Sequence, residues 1–145
     1  MGGSTLRFLC PNGHLGFAPI KTGSFELGVA TRPDFIVADS GSDDIGPGPL
    51  GSDTSTSPPA WQSHDLGHML LAARRLGVPM LIGSAGDTGA NSRVDMYVEM
   101  IREIAARRGL PGFRLGTFTP KSPRTCCATR WPPGKRSGSW TAAPI

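Results

Sequence analysis

Residues Pro79 to Arg108 read PMLIGSAGDTGANSRVDMYVEMIREIAARR, and this stretch decides the fold class. Val78 to Ile82 is a short apolar run with the composition of a buried strand. Gly83-Ser84-Ala85-Gly86-Asp87-Thr88-Gly89 follows as a turn, with Asp87, Thr88, Asn91 and Ser92 each able to cap the next helix. Val94, Tyr97, Val98, Ile101, Ile104 and Ala105 then recur at helical spacing, Glu103 and Arg107 stand four apart on the wet side, and Gly109 and Pro111 mark the stop. Strand, glycine-rich turn and helix in that order is how open α/β sheets place ligands, because backbone N–H groups at a helix start favour an anion.

Working backwards, Trp61 to Gly77 carries Leu66, Met69, Leu70, Ala73 and Leu76 at helical spacing, with Arg74 and Arg75 in the last turn and Gly77 as the stop. His64 and His68 lie four apart there, in a pattern like H-E-x-x-H with Asp65 for the glutamate. The shorter acid, the interior Gly67 and the missing third ligand favour polar residues near a helix start over a metal. Asp34 to Asp39 (DFIVAD) predicts a strand ending in an acid. Leu6 to Cys10 predicts a buried first strand, Thr22 to Arg32 a modest helix, and Phe113 to Phe118 a fourth strand. His14, after the first strand, reads as a solvated loop histidine in preference to an acid, base or phosphate contact. Ile45 to Pro59 has no apolar periodicity and reads as a binding loop rather than a core element.

These elements alternate as βαβ units, so the fold expected is α/β: a Rossmann-like layered fold with a mostly parallel sheet of about four strands, incomplete as it stands. Residues 1–118 form the expected domain. Residues 119–145 are basic and proline-rich, lack acids, and cannot bury enough apolar surface to offset ordering entropy, so they read as a disordered tail left by truncation or a shifted reading frame.

Of fifteen basic residues, Lys121, Arg124, Arg130, Lys135 and Arg136 lie in that tail, leaving ten against eleven acids in residues 1–118. The domain is near neutral, which disfavours nucleic acid as a partner. No apolar run approaches the length of a membrane span, and the three cysteines form neither C-x-x-C nor a disulfide framework, so a cytoplasmic setting without membrane association is the default. Neither G-x-x-x-x-G-K-[ST] nor G-x-G-x-x-G is present, and no cofactor is named by the sequence.

Ligands of parallel sheets sit outside the carboxyl ends of the strands. Asp39 and Asp43 are therefore the acid/base candidates. Ser40, Gly41, Ser42, Gly83, Ser84, Gly86, Asp87 and Thr88 are the ligand-binding candidates, for an anionic small molecule.

The succession PDFIVADSGSDDIGPGPLGSDTS, HDLGHMLLAARRLGVPMLIGSAGDTG and VDMYVEMIREIA resembles the N-terminal part of the acyclic terpene utilisation (AtuA-like) family over roughly residues 5 to 118. Its most specific parts are Asp39 to Ser42 and Ile82 to Gly86. The resemblance implies an α/β domain from a longer protein of bacterial catabolism of acyclic terpenes and related branched acids through acyl-CoA intermediates. It implies a small-molecule substrate such as an acyl-CoA, with a homo-oligomer left open, and brings no agreed catalytic residues. The rival reading is a non-catalytic scaffold or assembly subunit whose turn glycines serve packing alone.

Overall fold

The computed structural model describes residues 5–41, 43 and 45–118, together with the backbone of 127–130. Three strands, β1 (Phe8–Leu9), β2 (Phe35–Asp39) and β3 (Met80–Gly83), form a parallel sheet in the order β1-β2-β3. Phe8 lies opposite Phe35, Ile36 opposite Met80, and Asp39 opposite Gly83, which brings the ends of β2 and β3 level. The helices are α1 (Thr22–Ala30), a short α2 (Gly48–Ser52), α3 (Pro59–Leu76) and α4 (Asn91–Arg107). The chain is thus α/β, with α3 closed by Gly77 in the left-handed region (φ 70°), its N–H donated to the Ala73 carbonyl.

Sequential strand order has a direct consequence for layering. Two right-handed crossovers that step the same way along a sheet place both connecting helices on one face. α1 meets that face where a methyl on Gly28 would sit 2.6 Å from Leu9 Cδ1, and Phe25 of α1 meets the His68 ring of α3 edge-on at 6.0 Å. Ile36 and Ala38 of β2 join Leu66, Met69 and Leu70 of α3 and Tyr97, Ile101 and Ile104 of α4 in one buried core. The alternate residues point the other way: Phe8 is 63% exposed, Leu81 52%, and Phe8 stacks on Phe35 at 5.7 Å. Among the described residues no helix covers this second face.

Several sequence expectations are corrected here. The predicted fourth strand forms as β4 (Arg114–Thr117), but it pairs antiparallel with β5 (Cys127–Arg130) in a separate two-stranded sheet, so the parallel sheet has three strands. The first strand is not buried, because Phe8 faces the uncovered side. None of the four candidate side chains caps α4; Ala90 stands at that position, and Thr88 Oγ1 instead accepts the Ala90 N–H at 3.2 Å. Glu103 and Arg107 make no ion pair, whereas Glu99 and Arg102 pair one turn earlier. Four residues of the segment expected to lie outside the domain form β5; the rest of 119–145 falls outside the described residues. No described helix is long and apolar enough to cross a membrane.

Candidate functional site

The loops following the three parallel strands converge at the carboxyl end of the sheet, and a buried carboxylate on α3 fixes the first of them. Asp65 Oδ1 accepts the Ile20 N–H at 2.8 Å, and Oδ2 accepts the Gly16 N–H and the Asn12 amide, each at 3.0 Å. Leu15 donates its N–H to the Asp39 carbonyl at 2.8 Å and is fully buried. With both flanks pinned, His14 is carried inside and is 5% exposed, against the expectation of a solvated loop residue.

The His14 ring lies between two carboxylates. Nε2 is 2.9 Å from Asp87 Oδ1 and Nδ1 is 3.1 Å from Asp43 Oδ2. A neutral imidazole has one N–H and donates to only one of them; the imidazolium donates to both. The partners differ in access, since the Asp87 side chain has no solvent exposure and that of Asp43 is half exposed. Burial pushes the Asp87 carboxyl up, but the Thr56 N–H and hydroxyl and the His14 ring together hold it below the usual carboxylate range.

The turn after β3 is wound tightly. Ser84 (φ 47°) and Asp87 (φ 73°) are left-handed without being glycine, beside left-handed Gly86 and Gly89. Such residues persist only where their surroundings over-determine them. Here the surroundings are the loop after β2: Ser40 donates its N–H to the Gly83 carbonyl, and Asp87 donates its own to the Ser40 carbonyl, both at 2.9 Å. The contact requires glycine at position 41, where a Cβ would lie 2.3 Å from the Asp87 carbonyl oxygen and 2.7 Å from Ser84 Cβ. Ser40 is itself buried, its hydroxyl 2.5 Å from Tyr97 on α4. Burial, opposed by that hydrogen bond, pushes the Tyr97 phenol up to about 12.

The remaining candidates divide by what they face. Asp39 is partly exposed and its Oδ1 accepts the Gly41 N–H at 3.2 Å; a Cβ on the exposed Gly83 would stand 3.2 Å from the same oxygen. Gly86 is buried, and a Cβ there would meet Arg93 and Met96 rather than open space. Ser84 and Thr88 border a cleft of about 370 Å³ between β3, α4 and β4, whose apolar walls are Met80, Ile82, Val94, Val98, Ile101 and Leu115. Ser42 falls outside the described residues.

The loop of residues 45–59 is more ordered than its composition predicts. It contains α2, buries Pro49 and Ser57, and closes on the turn through Thr56. Asp53 fastens it to the start of α4 through Ser92 Oγ at 2.5 Å and Arg93 Nε at 3.2 Å. No group of three or more metal-ligating side chains assembles among the described residues. No family model, curated protein or solved structure matches this chain. The sequence signal for His14 was its place directly after a strand; what concealed its role was Asp65, which is distant in sequence.

Proposed function

We propose that this domain binds an amphiphilic anion, a branched carboxylic acid or its acyl thioester, at the carboxyl ends of its strands and performs acid/base chemistry on it. The observation that carries this reading is the cleft beside the turn: apolar walls, the hydroxyl-bearing residues Ser84, Thr88, Tyr97 and Thr117 in its lining, and a volume within the range of small-molecule sites. The acyl chain takes the apolar walls, and the polar head lies toward Ser84 and Thr88. Asp39, Asp43 and the His14–Asp87 pair, which stand at the strand ends outside the lining of the cleft, supply the titratable groups, with Asp87 orienting the ring and the more exposed Asp43 being the partner that can turn aside to free Nδ1 for a proton. The resemblance to the AtuA-like family adds the chemical setting, catabolism of acyclic terpenes and branched acyl-CoA in the cytoplasm. Within this reading the parallel strands belong to a Rossmann-like layered fold.

Calorimetry with a branched acyl-CoA and with free CoA tests it. The acyl form is expected to bind more tightly, and Val98→Trp, which fills the cleft from α4, is expected to abolish the difference. Equal binding of both ligands by the parent protein refutes the assignment of the acyl chain to the cleft.

A non-catalytic scaffold is favoured by one observation: the turn spends its N–H groups inward, from Asp87 to Ser40 and from Gly89 to Ala85. On that reading neither ligand binds, and the strained turn serves packing between the loops.

A further inference from the structure

A second cavity, of about 480 Å³, lies between α3, from Ala60 to Leu71, and the last turn of α4. His64 and His68 line it from α3, and Arg107 and Arg108 from the end of α4. The two histidine rings are 4.5 Å apart, and Gly67 between them leaves the groove open, with nothing within 4 Å of an added Cβ. We propose that this groove is a binding subsite for a phosphate dianion, held by the two arginine forks and the two imidazoles.

The charges around the groove support an anion. Neither Arg107 nor Arg108 forms an ion pair among the described residues, and Glu103 on the same helix pairs with neither. The nearby acids are engaged elsewhere: Glu26 of α1 pairs with Arg75 at 2.6 Å, and Asp65 is spent on the loop before α1 and on His64 Nδ1 at 3.0 Å. That contact leaves His64 Nε2 as the nitrogen for a ligand. His68 Nε2 is 3.5 Å from Thr22 Oγ1, a contact at the limit of hydrogen bonding that a stronger acceptor can replace. Burial lowers the His68 pKa first, His64 and Arg108 add to the lowering, and Asp65 and Glu26 oppose it. A dianion in the groove offsets the repulsion from His64 and Arg108 and so favours the protonated His68 ring. Two planar guanidinium groups suit the tetrahedral oxygens of phosphate better than a point charge would. Among the described residues no third metal-ligating side chain joins the two histidines, whereas both arginines border the groove.

The experiment is a titration of the full chain with inorganic phosphate, followed by the ring resonances of the histidines in NMR. His64 and His68 signals are expected to shift saturably while those of His14 stay put. The paired change Arg107→Ala and Arg108→Ala lies on an exposed helix end and should fold, and it should weaken phosphate binding by at least about tenfold. Chloride at matched ionic strength should leave the rings unmoved. Equal shifts with chloride, undiminished binding in the arginine variant, or no ring response at all would each overturn the proposal. None of these outcomes bears on the cleft beside β3.

Discussion

Replacing Asp65 with asparagine conserves volume and removes a charge, and the geometry sets the cost. Oδ1 serves Ile20 N–H and His64, and Oδ2 serves Gly16 N–H and Asn12. An amide has one oxygen, so its NH₂ must face two donors, one of them a buried backbone N–H. Losing a hydrogen bond to a charged acceptor costs about 1.5–3 kcal/mol, and leaving a buried donor unsatisfied about 1–3 kcal/mol. Asp65→Asn is therefore expected to destabilise the domain by about 3–5 kcal/mol, a large share of the roughly 5–15 kcal/mol of an ordinary domain. Urea unfolding measures this, and amide exchange at Gly16 and Ile20 should accelerate with it. A loss below about 1 kcal/mol, with exchange unchanged, would show that Asp65 does not anchor the loop that carries His14.

Asp39→Asn, by contrast, should alter stability by less than about 1 kcal/mol, because the carboxylate is partly exposed and its one described bond is a local one to Gly41; unfolding curves compare the two variants directly. Gly41→Ala should cost more than about 2 kcal/mol by forcing the β2 and β3 loops apart, while Gly13→Ala, with open space around its Cβ, serves as the control in the same assay. The Asp87 carboxyl is held below its unfolded value, so its contribution is present above about pH 4 and is lost as pH falls through the folded value. Asp87→Asn should flatten the acid limb of a stability profile. Tyr97, the single tyrosine, should form phenolate only near pH about 12 in folded protein, and stability should decline from roughly pH 10 upward as the unfolded chain ionises first; phenolate absorbance during an alkaline titration reads both.

Periodicity and punctuation located the elements well, because they are local signals. The stripe from Val94 to Ala105 and the stop at Gly77 sit within a few residues of what decides them. The partner of the last strand is a different kind of fact. Phe113 to Phe118 has strand character, but nothing in those residues states whether they join β3 or fold back onto Cys127–Arg130. The site was half legible for the same reason. Topology alone puts Asp39 and the turn at the strand ends, whereas the burial of His14 depends on Asp65, whose helix reads as an ordinary amphipathic crossover. Gly86 has the look of a ligand-facing glycine, yet its missing Cβ makes room for Arg93 and Met96 of α4. A valine there tests helix packing before it tests binding.

One-sided layering reaches beyond architecture to how the molecule behaves in a crowded solution. Phe8 and Phe35, with Val37 opposite Leu81, line an apolar strip on the face that no described helix covers, against a net charge of only +4 over the whole chain and so a modest mutual repulsion. Colloidal behaviour is then governed by the solvent's treatment of that strip. Excluded salts such as sulfate strengthen its tendency to leave water, and dilute urea relaxes it. Monodispersity should follow the position of the salt in that series more closely than its ionic strength.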